Sequence, residues 1–410
     1  MVVIPSKMGR LNQRALLDRL QALGTASRAS LAKSIGLSQP TAGKIVDQLI
    51  EMAVVEEVDI AEPEENGRER KVKSGGKVGR PGRMLRLNRT PARFLGIQLG
   101  VTETSLAPLP LGVSGEDHWN LHFLTPDSAP AWQKQLEATS AKIKQKRFWG
   151  VLVSVPGIVD EKSGRVLFSP NLHWTEAADL TELIRNVWVA PVILLQEERA
   201  LALGHQAVHP SNDGFLLVDF GEGVGGTIVI EGKLYTNPSP LSGEVGHTHV
   251  QGNKRPCGCG AVGCLETLVS TRGLLQTFAE RSPGTSNTWP ALVKHISEHG
   301  VIPWLAETLD AAAVVIAGAL NVLGVRKLIV TGSLIDLPPG VLRYLSGAIS
   351  RGAIWGRFGK IEVEGAPRRR IAGLVSVGID RLVVPMGDKK SHETRTRFVS
   401  DGELSKALKK

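Results

Sequence analysis

The chain has 410 residues, 42% hydrophobic content and a net charge of +9, which is enough for two or three globular domains. Its first twenty residues contain no uninterrupted apolar segment, and no later stretch reaches the roughly 18 consecutive apolar residues that a membrane span needs. These features argue against membrane and secreted proteins. They predict a soluble, cytoplasmic protein without a membrane partner, and the low cysteine content agrees with a reducing compartment.

The positive charge is concentrated near the N-terminus. Residues 1–90 carry 16 basic and 10 acidic side chains, so they hold +6 of the total. Between Arg68 and Arg89 there are nine basic residues and one acidic residue. A basic segment of this kind predicts a polyanionic partner.

Three helices are predicted in this basic segment. The spacing of leucines indicates a helix over Asn12–Leu23, ended by Gly24, and a second helix runs over Ser27–Ile35 behind a serine cap. Ser38 is suited to cap a third helix, with Pro40 in its first turn. Two short helices joined by a glycine-containing turn are typical of a helix-turn-helix.

The second helix of such a unit enters the major groove of double-stranded DNA with its N-terminal side chains. The predicted contacts with base edges or phosphates are Ser38, Gln39, Thr41, Ala42 and Lys44. An ordinary three-helix interaction module is the alternative interpretation.

Two predicted strands, residues 54–58 and 84–87, enclose a long polar loop and together have the outline of a wing. Arg80 and Arg83 flank a stiff Pro-Gly turn, which predicts insertion of the loop into a narrow minor groove. A solvated charged linker is the alternative. With the wing included, residues 1–90 are predicted to form a winged helix-turn-helix domain.

Buried strands alternate with helical stretches from Phe94 onward, which predicts an α/β body of two lobes over residues 91–385. A helix is expected over Ile371–Val384, packing on the first lobe. Residues 386–410 are predicted to be a polar, mobile tail. The strands are predicted at 94–99, 149–155, 192–195, 215–218, 227–230 and 327–331.

All three cysteines lie within eight positions, at Cys257, Cys259 and Cys264. Three thiolates and one imidazole complete a tetrahedral zinc site, and a set with no open position predicts a structural metal. His247 and His249 both lie close enough in sequence to supply the imidazole. Three reduced, buried cysteines without a metal are the alternative.

Several motifs in order resemble the ROK family of bacterial repressors and sugar kinases. The resemblance rests on Gly-Glu-Val-Gly-His at 243–247, the cysteine pattern that follows it, Pro-Gly-Ile-Val-Asp at 156–160, Ser-Pro-Asn-Leu at 169–172 and the glycines of 221–227. It implies an actin-like, two-lobed sugar-kinase fold with a structural zinc loop, and it favours His247 as the fourth ligand.

The chain departs from the pattern that the family's kinases share. Their phosphate loop reads Asp-x-Gly-Gly-Thr, whereas this chain has Gln98 and Val101 at the first and fourth positions. Glu222 adds a negative charge to the second phosphate loop, and Gln196-Glu197 replaces the catalytic Asn-Asp pair. These changes predict a protein that is not an enzyme, because a crowded, negative loop disfavours phosphate.

The resemblance also implies a sugar-like effector site. The predicted effector-binding residues are Asn171, Gln196, Glu197, Glu244, His247 and Glu266. The resulting hypothesis is a transcriptional repressor, a homodimer or homotetramer, whose affinity for an operator changes when the effector binds. A carbohydrate kinase with an N-terminal extension and a ligand-independent interaction protein are the two alternatives.

Overall fold

The computed structural model describes residues 5–58, 83–112, 115, 117–235 and 242–385. The chain divides into two compact units. The first contains the residues up to Phe94, the short segment Leu109–Ser114 and the residues from Val377 onward. The second contains Leu95–Pro108 and Gly115–Ser376.

Three helices and a three-stranded antiparallel sheet of order β1-β3-β2 make up the N-terminal part of the first unit. Their core is built from leucine and valine side chains such as Leu16, Leu20, Val46 and Leu85, none of them exposed. The elements are α1 (Pro5–Leu23), β1 (Thr25–Ser27), α2 (Arg28–Ser34), α3 (Gln39–Glu51), β2 (Val55–Val58) and β3 (Met84–Leu87).

Both predicted serine caps are present. Ser27 accepts a hydrogen bond from the Ser30 amide, and Ser38 accepts one from the Thr41 amide, so each side chain pairs a helix donor that would otherwise lack a partner. Helix α1 begins seven residues earlier than predicted. Strand β1 was not predicted, because three residues are too few to show an alternating pattern.

The second unit contains two five-stranded sheets, of order β10-β7-β4-β5-β6 and β13-β12-β11-β14-β15, and a ribbon of β8 and β9. The six predicted strands are all present within a few residues of their expected bounds. The strands are β4 (Phe94–Leu99), β5 (Glu103–Leu109), β6 (Leu121–Leu124), β7 (Gly150–Val155), β8 (Ile158–Asp160), β9 (Arg165–Phe168), β10 (Val192–Gln196), β11 (Phe215–Phe220), β12 (Val224–Ile230), β13 (Lys233–Leu234), β14 (Lys327–Gly332) and β15 (Glu362–Gly365).

Helices pack on these sheets and form two large apolar cores, one around Trp132 and one around Phe278, and α7 packs on β11 in a smaller cluster around Phe215. The helices are α4 (Ala129–Ser140), α5 (Trp174–Ala177), α6 (Leu180–Arg185), α7 (Glu197–Val208), α8 (Glu266–Val269), α9 (Thr271–Arg281), α10 (Trp289–His299), α11 (Pro303–Leu323), α12 (Pro339–Gly352) and α13 (Arg370–Gly378). Short 3₁₀ turns span Val245–His247, Ser333–Asp336 and Ile354–Arg357.

Parallel pairing decides where the functional side chains gather. Strand β10 runs parallel to β7 and ends at Gln196, while β11 runs parallel to β14 and ends at Phe220 beside Gly332. The carboxyl ends of parallel strands share one edge of a sheet, and ligands bind in crevices at that edge. The loops that follow these strands therefore supply the candidate site.

The last helix differs from its prediction. Helix α13 is regular only to Gly378, and a π-helical turn follows over Ile379–Val383, so the single helix predicted over 371–384 is interrupted. At its start, Gly373 packs against the backbone of Ala200 in α7. At the π-helical turn, Asp380 pairs with Arg14 of α1 at 3.0 Å, within the first unit.

Helix α11 is the one helix, among the described residues, that is long and apolar enough to cross a membrane by length and composition. Core helices pass the same test, and Leu305, Leu309 and Ile316 of this helix are completely buried in the second unit. Its outward face is mixed: Val314 and Val322 are 73% and 87% exposed, and Glu307, Asp310 and Asn321 are exposed as well.

Candidate functional site

A cleft of about 190 Å³ opens at the ends of the strands in the second unit. It is bounded by the turns after β4, β7, β10 and β11, the 3₁₀ turn at 245–247, and the residues that precede α13. All six side chains predicted to bind an effector line this cleft: Asn171, Gln196, Glu197, Glu244, His247 and Glu266.

Four sulfur and nitrogen ligands converge beside the cleft. The ligand atoms of His247, Cys257, Cys259 and Cys264 all lie within 4.8 Å of one another. The Sγ of Cys257 is 3.6 Å from Nδ1 of His247, and the Sγ atoms of Cys259 and Cys264 are 3.6 Å apart. The ring of His249 instead contacts the Val262 carbonyl at 3.2 Å, so His247 is the imidazole of the cluster.

The chemistry of this cluster fits a metal ion. Burial raises the pKa of the Cys257 thiol, and burial together with the neighbouring thiols raises the pKa of Cys264 to about 12. Burial thus favours the protonated thiols of Cys257 and Cys264 when no cation is bound, whereas a bound divalent ion would stabilise the thiolates and release the protons. Three sulfurs and one imidazole nitrogen are the soft, tetrahedral ligand set that zinc prefers.

Glu266 joins the cluster to the cleft. Its side chain is only 4% exposed, and its Oε2 accepts a hydrogen bond of 2.9 Å from the Val224 amide. Its Oε1 lies 3.9 Å from the Sγ of Cys257. A side chain at Gly223 would meet the same carboxylate, since an added carbon there would lie 3.0 Å from Oε2 of Glu266 and 3.8 Å from Nδ2 of Asn171. A shift of the cysteine loop would therefore move Glu266 in the cleft.

Glu244 lies between His247 and Gln196 in the lining of the cleft. Its carboxylate oxygens are 3.5 Å from Nε2 of Gln196 and 3.8 Å from Nε2 of His247. Burial raises the pKa of Glu244, although the neighbouring imidazole opposes the shift. A half-buried carboxyl with weak partners retains its capacity to accept hydrogen bonds from a ligand hydroxyl.

An ion pair that the sequence analysis missed crosses the end of β11. Arg368 donates two hydrogen bonds to Asp219, at 2.8 and 2.7 Å, and Thr331 donates a third at 2.7 Å. Burial alone would raise the pKa of Asp219, but the guanidinium outweighs it and holds the pKa below its usual value. The guanidinium lies against Gly221 and Gly332, so it fills the space between the loops that follow β11 and β14.

A second arginine binds Glu197. Arg370 is 5% exposed at its side chain and donates from Nε to the Glu197 carboxylate at 2.8 Å. Asp117 accepts hydrogen bonds from the backbone amides of Arg370 and Ile371, at 3.0 and 2.8 Å, and so caps the start of α13. Glu197 therefore lines the cleft with its carboxylate bound by the Arg370 guanidinium.

Glu198 is a further cleft residue that the sequence analysis missed. Its carboxylate lies against Gly225, and its Oε2 is buried without a hydrogen-bond partner. Burial, together with the negative charges of Glu197, Glu244 and Asp219, raises the pKa of Glu198 well above its usual value. The sequence offered one signal for this residue: Glu198 directly follows Gln196 and Glu197, which were predicted to line the site.

The Glu222 carboxylate occupies the donors of the first phosphate-type loop. It accepts hydrogen bonds from the Thr102 hydroxyl and, at 3.2 Å, from the Thr102 amide. Gly100 is also crowded, since an added carbon there would lie 2.5 Å from the Glu103 carbonyl. The side chain of Val101, predicted to obstruct phosphate, lines the same cleft.

The structure corrects one predicted DNA contact. Ser38, Gln39, Thr41 and Lys44 are exposed, but Ala42 is 1% exposed because it lies on the inner face of α3. Ala42, Ile45, Val46 and Leu49 share that face at helical spacing, so Ala42 cannot present its side chain to a base.

The predicted wing is described only in part. Arg83 is 62% exposed and pairs with Glu57 at 2.6 Å. The predicted contact at Arg80, like the rest of the loop over residues 59–82, lies outside the described residues.

With this geometry in view, the chain can be compared with known proteins. The model of the ROK family matches residues 94–353. The chain belongs to the ROK family. Among its relatives are the xylose repressors of Bacillus subtilis (strain 168), 25% identical over 83% of this chain and 87% of the relative, and of Caldicellulosiruptor bescii, 28% identical. The second alignment covers 62% of either chain, which is less than two thirds of the relative.

Two solved structures share the fold. A ROK family transcriptional regulator, a homologue of the E. coli MLC protein, superposes with a TM-score of 0.67 over 91% of this chain and 97% of that chain, at 18% identity. A ROK family glucokinase from Streptomyces griseus, in complex with glucose and AMPPNP, superposes with a TM-score of 0.58 over 69% of this chain and 97% of that chain, at 23% identity. The family's α/β sugar-kinase fold thus occurs in both regulators and kinases.

Proposed function

We propose that the protein is a transcriptional repressor whose affinity for operator DNA is changed by a sugar-like effector. The observation that carries this proposal is the exposed row Ser38, Gln39, Thr41 and Lys44 at the N-terminal end of α3, in a chain whose body has a sugar-kinase fold. The names of the xylose repressors support the same function.

The DNA-binding part is a winged helix-turn-helix formed by residues 1–90. Helices α2 and α3 are joined by a tight turn at Gly36, and the capped start of α3 presents polar side chains, as a recognition helix does. Strands β2 and β3 supply the stem of the wing. Residues 91–385 form the effector-binding and oligomerisation domain, and the tail predicted over residues 386–410 lies outside the described residues.

Zinc at His247, Cys257, Cys259 and Cys264 has a structural role in this proposal. When bound, it supplies a fixed tetrahedral anchor for the cysteine loop. Glu266 follows Cys264 by two residues, so the anchored loop holds that carboxylate against the Val224 amide at the cleft.

The cleft binds a ligand but transfers no phosphate. Arg368 fills the space between Gly221 and Gly332, Glu222 occupies the Thr102 donors, and Glu197 is bound by Arg370. Each contact takes a position that phosphoryl transfer would need for phosphate, metal or a free base. The chain acts in the cytoplasm on double-stranded DNA, as a symmetric oligomer.

Selection of duplexes from a random library by the full chain should return a two-fold sequence with half-sites one or two helical turns apart. Lys44→Ala should then weaken operator binding by about tenfold, since one lost contact with a base or phosphate costs about 1–3 kcal/mol. Fluorescence anisotropy with the selected duplex measures the change. Lys294→Ala removes an exposed lysine of α10 and should bind like the wild type. Recovery of no preferred sequence would refute the repressor assignment.

A further inference from the structure

We propose that the cleft selects its effector by charge: it takes a polyhydroxylated ligand without phosphate and rejects the phosphate ester of the same sugar. This inference rests on the proposed sugar-responsive function and names the class of its ligand. Three independent features of the cleft support it.

The first feature is the charge of the lining. Six carboxyl groups and two guanidinium groups are among the described residues that line the cleft, so acidic side chains exceed basic ones by four in a chain whose net charge is +9. Both guanidinium groups are engaged, Arg368 by Asp219 and Arg370 by Glu197. A zinc ion with three thiolates carries a net charge of −1, so the metal site does not offset the excess. A phosphate ester therefore meets an excess of acidic groups here, and both guanidinium groups among the described residues of the lining are already paired.

The second feature is Glu222. Backbone amides and hydroxyls in glycine-rich loops are the usual donors to phosphate oxygens. Here the amide and hydroxyl of Thr102 already donate to the Glu222 carboxylate, which stands where a phosphate group would accept them. A phosphorylated ligand would have to displace the Glu222 carboxylate from the amide and hydroxyl of Thr102.

The third feature is Glu198. Its Oε2 is buried in the lining of the cleft without a hydrogen-bond partner. An unpaired buried oxygen is costly, and a ligand hydroxyl or amine that reaches it supplies the missing hydrogen bond. A phosphate dianion at this place would bring its charge beside Glu197 and Asp219, where burial and the neighbouring carboxylates already disfavour the ionised form of Glu198.

Matched pairs of sugars test this selection: xylose and xylose 5-phosphate, glucose and glucose 6-phosphate, and N-acetylglucosamine and its 6-phosphate. Thermal shift and calorimetric titration of the full chain should show binding of the free sugar of at least one pair. Its phosphate ester should bind at least about tenfold more weakly, which corresponds to about 1.4 kcal/mol. Binding of a phosphate ester as tight as that of its free sugar would overturn the charge selection while leaving the effector hypothesis intact. Binding of neither member of any pair would instead count against the effector function itself.

Two variants that replace a carboxyl group by an amide test whether Glu222 and Glu198 cause the discrimination against phosphate esters. Glu222→Gln and Glu198→Gln should each narrow the difference between free sugar and phosphate ester. Glu298→Gln changes an exposed glutamate of α10, away from the cleft, and should leave the difference unchanged. An undiminished preference in both cleft variants would show that these two residues do not produce it.

Discussion

Replacing Cys264 by serine should release the metal and disable the effector response. Cys264 is 1% exposed and its sulfur lies 3.6 Å from that of Cys259, so the variant leaves three ligands around a buried site. We expect metal affinity to fall by at least about 100-fold. Mutation of a residue that only hydrogen-bonds to a metal ligand already lowers affinity about 10- to 100-fold. Elemental analysis of protein purified without chelator measures zinc directly. Absence of zinc from the wild type would return the cysteines to a packing role.

The chain offers a matched control for this change. His249→Ala removes an imidazole two residues from the ligand His247, but its ring contacts the Val262 carbonyl and lies outside the cluster. It should retain one zinc per chain, whereas His247→Ala should not. Because Glu266 shares the cysteine loop, loss of zinc should also abolish sugar-dependent release of DNA. Equal zinc loss in the two histidine variants would point to general unfolding of the loop.

The sequence predicted those parts of the fold that depend on local pattern. Strand β4 spans Phe94–Leu99 as predicted, because a strand buried on both faces reads as a nearly continuous apolar run. The convergence of the three cysteines was equally readable, since they lie within eight residues of the sequence. Ala42 was assigned wrongly although the pattern was available: it shares the helical spacing of Ile45, Val46 and Leu49.

Contacts between distant segments could not be read in the same way. Arg368 lies 149 residues from Asp219, and Arg370 lies 173 residues from Glu197, so only the folded chain shows that these charges pair. The sequence also could not show which of the adjacent residues Glu197 and Glu198 keeps an unpaired oxygen in the cleft. The start of α7 directs Glu197 to Arg370 and Glu198 to Gly225, and helical geometry separates neighbouring side chains by about 100°.

Replacing Glu244 by glutamine should abolish the response to the effector while leaving operator affinity without effector nearly unchanged. The two side chains have similar volume, but the amide replaces one acceptor oxygen by a donor beside Gln196 and His247. An effector that binds two conformations of the protein equally would shift nothing, so the wild-type response requires contacts that differ between them. Glu244 lines the cleft and has only weak partners, so it is free to supply such a contact.

Operator titration with and without a bound free sugar measures this coupling. For the wild type we expect the sugar to change operator affinity by about 5- to 150-fold, the usual range of allosteric coupling between two sites. For Glu244→Gln the two titrations should coincide, with zinc content unchanged, and Glu298→Gln should respond like the wild type. A full response in the Glu244 variant would place the effector elsewhere. Equal weakening of both titrations would indicate a folding defect, because a lost ligand contact alters affinity only where the ligand is present.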